Sequence, residues 1–200
     1  MKKFISIKEW LNEQKKEEEK TYGCVMLHTE IRDWEEIHTG GIDPKDVYIK
    51  PEDDSYGLEQ EPHITVIYGL HEDEIDPEII EEVIKENMED VTVMISKISI
   101  FENEEFDVVK YDIPVTKQLL KYRKMFEDNF ENTQKFPEYH PHMTLAYVRP
   151  QQGKKYVSNL DEQFEVTFTK AVYSYHENGE NKTKEYVFNT PKDDINLDSL

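Results

Sequence analysis

Hydrophobic periodicity along the chain predicts strands and helices in irregular alternation. Apolar residues at helical spacing predict two helices, over 76–88 and 115–130, and Asp76 with Pro77 supplies a start signal for the first. Asn178-Gly179 predicts a tight hairpin turn near the end of the chain. Runs of dense or alternating apolar residues predict strands over 22–28, 61–70, 91–102, 105–113, 139–148, 163–177 and 182–189. The pattern indicates an α+β fold with mostly antiparallel sheets.

The two ends and one internal stretch depart from this pattern. Residues 1–20 contain the charge run KKEEEK and predict an exposed N-terminal arm. Residues 191–200 are polar and predict a disordered tail. Residues 31–60 predict a long excursion with a helical turn or two, and long ordered loops are often functional. The folded domain is therefore expected over 21–190.

The charge balance narrows the choice of partners. The 200-residue chain carries 24 Lys and Arg against 44 Asp and Glu, a formal charge of −20. Such a surface repels the phosphate backbone, so binding to duplex or to long RNA is disfavoured. A nucleotide ligand is expected to be small and held in a local pocket.

Two further features bear on compartment and covalent chemistry. No apolar run approaches the ~18 residues that span a bilayer, and the first residues carry charges where a signal peptide needs an apolar stretch. We therefore expect a cytoplasmic protein with no membrane partner. Cys24 is the single cysteine, which excludes intramolecular disulfides and Cys-based zinc sites.

One short motif occurs twice in the chain. Residues 62–68 read Pro-His-Ile-Thr-Val-Ile-Tyr, and residues 141–147 read Pro-His-Met-Thr-Leu-Ala-Tyr. Both copies share the pattern Pro-His-apolar-Thr-apolar-apolar-Tyr. A repeat of this kind indicates two similar lobes whose motifs meet in one groove.

Strand geometry predicts which side chains each copy presents. Alternate side chains point to opposite faces, so the His and the Thr of each copy share one face, about 7 Å apart. By the same parity, Ile67 joins His63 and Thr65, whereas Tyr68 and Tyr147 point into the core with the other apolar residues. Two such faces would bring together two imidazoles and two hydroxyls.

This set of groups suits phosphoryl chemistry. One neutral His can take a proton, a protonated His can donate one to a leaving oxygen, and hydroxyls can bond phosphoryl oxygens. The hypothesis requires no metal and no cofactor. We expect His63 and His142 as the acid–base pair and Thr65 and Thr144 as the phosphate-binding residues.

The paired motifs resemble the two-histidine phosphoesterase superfamily, which includes 2′,5′-RNA ligase-like proteins, cyclic phosphodiesterases and 2′,5′-oligoadenylate phosphodiesterases. The resemblance implies a bilobal pseudo-twofold α+β fold, in which two antiparallel sheets form a central groove and helices pack outside. The stretches 57–71 and 22–27 look most like a phage branch, the anti-CBASS nucleases. The resemblance therefore implies a phosphoric diester hydrolase that evades host immunity by degrading cyclic di- and trinucleotides.

Other residues offer further candidates. Trp34, in the long excursion, and Tyr139, just before the second motif, are expected to stack nucleobases. His140 shares strand parity with His142, so these two and His63 form an alternative metal site. Pro141 disturbs regular strand geometry there and weakens that alternative. The remaining histidines are expected to be ordinary surface or hydrogen-bonded residues; they are His28, His38, His71 and His176.

Three functions remain open from the sequence. The first is cleavage of 3′,5′ bonds in a cyclic di- or trinucleotide through a 2′,3′-cyclic phosphate. The second is action on a linear 2′,5′-oligoadenylate or on an RNA end with a 2′,3′-cyclic phosphate, for which the same four residues would serve. The third is a non-enzymatic sponge that binds a cyclic nucleotide intact.

Overall fold

The computed structural model describes residues 21–72, 75–133 and 138–188. The predicted arm (1–20) and tail (191–200) lie outside these ranges. No described helix is long and apolar enough to cross a membrane. In chain order the strands are β1 (Tyr22–His28), β2 (His63–His71), β3 (Val91–Glu102), β4 (Asp107–Asp112), β5 (His142–Val148), β6 (Ser158–Phe168), β7 (Lys170–Glu177) and β8 (Glu180–Val187).

These strands form two antiparallel sheets. Sheet 1 has the order β2-β1-β7-β8, and sheet 2 has the order β5-β4-β3-β6. The predicted α+β class with two antiparallel sheets is confirmed. Each sheet carries one copy of the motif, on β2 or on β5, at its edge.

Two α-helices have the predicted positions. Helix α1 spans Pro77–Asn87, and Asp76 caps it by accepting a hydrogen bond from the backbone N–H of Glu78. Helix α2 spans Lys117–Asn129, and the Thr116 hydroxyl accepts from the N–H of Leu119. Helix α1 contacts β8 and helix α2 contacts β2, so both pack against sheet 1.

The segment predicted as one strand over 163–177 is two strands in different sheets. Strand β6 ends at Phe168 in sheet 2, and β7 begins at Lys170 in sheet 1. Thr169 joins them, and its N–H donates to the carbonyl of His28 at the end of β1. The sequence has no Gly or Pro between the two strands, and apolar residues continue from Phe168 to Ala171 after only Thr169 and Lys170, so periodicity gave no sign of the crossing.

The long excursion between β1 and β2 holds one π-helical turn, Trp34–Thr39, as expected. Its later part runs beside the free edge of β5. The N–H groups of Tyr48 and Glu59 donate to the carbonyls of Tyr147 and Leu145, and the N–H of Tyr147 donates to Gly57. This pairing covers the open edge of sheet 2 and fixes the loop over residues 54–61 beside the motif strand.

Candidate active site

The two motif strands contact each other, and their polar side chains line one cavity. His63, Thr65, His142 and Thr144 all face this space of about 540 Å³. Its volume falls in the ~300–1,000 Å³ range of small-molecule sites. The structure therefore brings together the four residues that the repeat singled out.

Both motif strands contain a β-bulge at the same place. On β2, Thr65 pairs with Met26 and Ile67 with Val25, which leaves Val66 unpaired. On β5, Thr144 pairs with Lys110 and Ala146 with Val109, which leaves Leu145 unpaired. In each copy the bulge follows the His by three residues. The two lobes thus share an irregular feature as well as a sequence, which strengthens their pseudo-twofold relation.

The bulges overturn the prediction for residues that follow them. An extra residue in a strand reverses the parity of every later side chain. Ile67 is accordingly buried in the core, whereas Tyr68 is 55% exposed. Tyr147 lines the cavity. The expectation that both tyrosines face the core was wrong, because it assumed a regular strand.

The two imidazoles are held in the same way. Nδ1 of His63 lies 2.8 Å from the carbonyl oxygen of Glu61, and Nδ1 of His142 lies 2.9 Å from that of His140. A carbonyl only accepts hydrogen bonds, so each Nδ1 carries a proton and donates it. Each Nε2 is then the nitrogen left to accept or release a proton.

The second histidine has a distinct electrostatic environment. Burial lowers the pKa of His142, and the positive charges of Lys110 and a protonated His63 lower it further. The hydrogen bond to the His140 carbonyl and the Asp112 carboxylate act in the opposite direction. A lowered pKa favours the neutral imidazole, the form that accepts a proton.

His28 is a third imidazole in the cavity. It pairs with His63 across β1 and β2, and their rings stack with centroids 5.2 Å apart and planes 17° apart. The side chain is buried, and its Nε2 has no hydrogen-bond partner. Burial, with the charges of His63 and Lys170, lowers the pKa of His28 to about 4. His28 therefore stays neutral near pH 7, a role that the sequence pattern did not indicate.

The loop over residues 54–61 forms the acidic side of the cavity. Asp54, Glu59 and Glu61 line it, and no Lys or Arg occurs among the described lining residues. The Glu59 carboxylate accepts from the backbone N–H groups of Gln60 and Glu61, both at 3.1 Å. These hydrogen bonds hold the carboxylate in place, so one side of the cavity carries fixed negative charge.

An aromatic cluster supports this loop. Tyr56 lies edge-on to Tyr147 with ring centroids 5.1 Å apart, and both residues line the cavity. Tyr48 and Phe106 complete the cluster behind them. A nucleobase could stack at this place, which the sequence did not single out.

Comparisons with known proteins agree with this geometry. A family model described as the 2′-5′ RNA ligase superfamily matches residues 26–180. The chain belongs to this superfamily. The predicted relation to two-histidine phosphoesterases is thereby confirmed at the superfamily level. No curated protein sequence matches the chain significantly.

Solved structures show the same fold at low identity. Escherichia coli LigT in complex with 3′-AMP is 12% identical, with a TM-score of 0.54 over 86% of this chain and 100% of LigT. A protein described only as a phosphoesterase is 13% identical, with a TM-score of 0.51 over 85% of this chain and 99% of its own. These similarities establish a LigT-like fold for this member of the superfamily.

The two aromatic residues predicted to stack on bases lie outside the cavity lining. Trp34 is buried, and its indole Nε1–H donates to the carbonyl of Glu59 at 2.7 Å. The Tyr139 hydroxyl donates to the carbonyl of Thr65 at 2.9 Å, and Arg123 lies over its ring. In this superfamily member both residues contact the backbone of a cavity residue, so the structure places them as supports.

The alternative metal site is not assembled in the described part of the chain. His140 is not among the lining residues of the cavity; its side chain is 66% exposed, and its Nε2 lies 3.3 Å from Glu138. Among the described residues, no three His, Cys, Asp or Glu side chains are grouped as a metal ion requires.

Proposed function

We propose that the protein is a metal-independent phosphodiesterase that cleaves 3′,5′ bonds of cyclic di- or trinucleotide signals, the activity of the phage anti-CBASS nucleases. The observation that carries the proposal is the matched pair of His-x-Thr motifs in one cavity. Each imidazole is tied through Nδ1 to a carbonyl two residues earlier, so two Nε2 atoms are available to one substrate.

The reaction needs one base and one acid. One neutral imidazole takes the proton of a ribose 2′-hydroxyl, and the 2′-oxygen forms a bond to phosphorus. The bond from phosphorus to the 5′-oxygen breaks, and the second imidazole, protonated, gives its Nε2 proton to that oxygen. This step forms a 2′,3′-cyclic phosphate and a free 5′-hydroxyl. Thr65 and Thr144 donate hydrogen bonds to the non-bridging oxygens as charge develops.

Four features support a small nucleotide substrate. The cavity has the volume of a small-molecule site, and the chain's charge of −20 opposes a long polyanion. The carboxylates of the loop over residues 54–61 can accept hydrogen bonds from base amino groups or ribose hydroxyls. The structure of LigT with 3′-AMP holds one nucleotide in a protein of the same fold.

The direct test is a substrate panel in the presence of EDTA, with products identified by mass. The panel contains 3′,3′-cyclic dinucleotides, cyclic triadenylate, 2′,5′-oligoadenylate and RNA with a 2′,3′-cyclic phosphate end. We expect turnover of the first two classes, unaffected by EDTA. Preferential turnover of either of the last two would show that the proposed substrate is wrong. Loss of activity with EDTA and its return with zinc or manganese would show that the reaction depends on a metal ion and that the proposed mechanism is wrong.

Histidine variants test the roles. His63→Ala and His142→Ala should each lose about 10²–10⁴-fold in kcat. His71→Ala is the matched control, because His71 is on the same strand as His63 but bonds Thr133 outside the cavity lining. Tight binding with intact ligand recovered after long incubation would identify a sponge instead of an enzyme.

A further inference from the structure

The pseudo-twofold relation pairs each position in one lobe with a position in the other. The neighbour of the motif Thr on the adjacent strand is Met26 for Thr65 and Lys110 for Thr144. An uncharged thioether in sheet 1 thus corresponds to an ammonium group in sheet 2. The catalytic groups repeat, but this neighbour does not.

Lys110 is buried and held in a defined place. Its Nζ donates to Oδ1 of Asp112 at 2.5 Å and to the Ser99 hydroxyl at 2.7 Å. It also lies 4.2 Å from the centre of the Phe101 ring, and that ring packs edge-on against His142 at 4.9 Å. The cation is therefore built into the sheet beside the second motif.

Groups from three neighbouring strands surround His142. Strand β4 supplies Lys110 and Asp112, β3 supplies the uncharged Phe101, and β2 supplies His63. Asp112 lies opposite His142 in the sheet register, and its carboxylate accepts hydrogen bonds from Lys110 and Ser99. Lys110 and Asp112 therefore act on His142 in opposite directions.

The charged neighbour of His63 is a carboxylate without a lysine partner in the described cavity lining. Oε2 of Glu59 lies 4.0 Å from Nδ1 of His63, and its neighbour Glu61 also lines the cavity. The two histidines therefore differ in their charged neighbours: Glu59 lies beside His63, and the Lys110–Asp112 pair lies beside His142.

We infer that Lys110 is a positioning residue that makes the two histidines unequal, so that His142 takes the proton from the 2′-hydroxyl and His63 gives one to the 5′-oxygen. The inference rests on the proposed function. It also sets the direction of the substrate: the ribose that supplies the attacking hydroxyl lies beside His142, and the departing nucleoside lies beside His63. Hydrolysis of the cyclic phosphate then uses the same two residues with their roles exchanged.

The first experiment changes Lys110 and follows the histidines. Lys110→Met installs the residue found at the equivalent place in sheet 1, and Lys110→Arg keeps the charge. We expect Lys110→Met to move the acidic limb of the kcat/KM profile to higher pH, because the base is no longer held neutral by a nearby cation. Lys110→Arg should leave the acidic limb at its wild-type pH. Movement of the alkaline limb, or of neither limb, would overturn the assignment.

A titration by NMR keeps this result separate from the proposed function. The imidazole signals of His63 and His142 are followed against pH in wild type and in Lys110→Met, without substrate. The midpoint of His142 should rise in the variant. If the wild-type protein cleaved nothing in the substrate panel, the proposed function would fail. The titration would still show whether Lys110 acts on His142, and an unmoved midpoint would refute that link.

The second experiment needs no change at Lys110. A substrate with sulfur in place of the bridging 5′-oxygen has a leaving group that departs without a proton. It should recover the ~10²–10⁴-fold loss of His63→Ala and leave the defect of His142→Ala in place. Rescue of His142→Ala instead would reverse the roles. Rescue of neither variant would show that proton donation to the leaving oxygen is not part of the rate-limiting step, which would contradict the inference.

Discussion

At the scale of single residues, the site consists of two equivalent histidines in different surroundings. Both imidazoles are tied through Nδ1, yet His63 stacks on a neutral imidazole whereas His142 packs against Phe101 beside a buried ammonium. The stacking partner, His28, is buried and unprotonated near neutral pH. A buried neutral histidine makes the free energy of unfolding depend on pH, because the residue is protonated more easily in the unfolded chain.

His28→Phe should remove part of the acid sensitivity of folding. The folded pKa of about 4 lies below the unfolded value of about 6.5, so the unfolded state binds the proton first as pH falls. Relative to the variant, wild type should lose on the order of 3 kcal/mol of unfolding free energy between about pH 6.5 and 4. Urea denaturation at several pH values measures this.

Met26→Leu is the control for that series, because Met26 lies in the same strand and cavity but does not titrate. Its difference from wild type should not change with pH. A His28→Phe difference that also stays constant with pH would refute the account of a buried neutral imidazole.

At the scale of elements, strand edges and their coverings determine the shape of the cavity. The free edge of β5 is covered by the excursion that ends in the loop over residues 54–61. The free edge of β2 is covered by residues 131–133, whose backbone bonds Gly69 and His71. The motif side chains are therefore fixed by sheet pairing, and the acidic side of the cavity is fixed by the loop.

Trp34→Phe should loosen the loop without moving the histidines. The change removes the indole N–H that bonds the Glu59 carbonyl and leaves that carbonyl without its donor, at a cost of about 1–3 kcal/mol. We expect KM for the preferred substrate to rise more than kcat falls, as measured by steady-state kinetics. Tyr48→Phe is the control, because it removes only an exposed bond to Glu105. Equal effects of the two variants would contradict this role.

Gly69→Ala should destabilise the fold more than Gly57→Ala. Both glycines have positive φ, 91° and 112°, so a side chain strains either one. A Cβ at Gly69 would also lie 2.4 Å from the carbonyl oxygen of Thr133, whereas a Cβ at Gly57 meets nothing within 4 Å. Urea midpoints should separate the two variants, and equal midpoints would show that the edge covering at Thr133 is not fixed.

At the scale of the whole molecule, a strongly acidic protein is proposed to bind an anion. The formal charge of −20 acts over the whole approach path, and the described lining of the cavity contains no Lys or Arg that would offset it. Repulsion of this kind extends roughly 30 Å at 0.01 M salt and about 8 Å at 0.15 M. The proposed anionic substrate should therefore reach the site slowly at low salt.

The kcat/KM for a cyclic dinucleotide should rise several-fold as ionic strength increases from about 0.01 to 0.15 M, because salt screens this repulsion. Stopped-assay kinetics across a salt series measure the slope. The variant Glu78→Gln/Glu82→Gln/Glu86→Gln, on the exposed side of α1 and remote from the cavity lining, should show a shallower slope. A fall in kcat/KM with salt would mean that local cations control the encounter.

The sequence by itself predicted most of the elements, the class of fold and the four candidate residues that the cavity brings together. Helices α1 and α2 follow from apolar periodicity and from the caps Asp76 and Thr116, which are local properties of the chain. The repeated Pro-His-apolar-Thr motif indicated the superfamily, because two copies of one chemical pattern are visible without any fold. Such signals depend on residues a few positions apart.

Only the tertiary structure decided the neighbours of those residues. Strand register places His28 beside His63 and Lys110 beside Thr144, partners that are distant along the chain. Bulges at Val66 and Leu145 reversed the parity that governs Tyr68 and Tyr147, and the crossing at Thr169 divided one apparent strand between two sheets. Each of these features depends on which strands pair and in what register. Pairing and register are set by contacts between residues far apart in the sequence, and local periodicity contains no information about them.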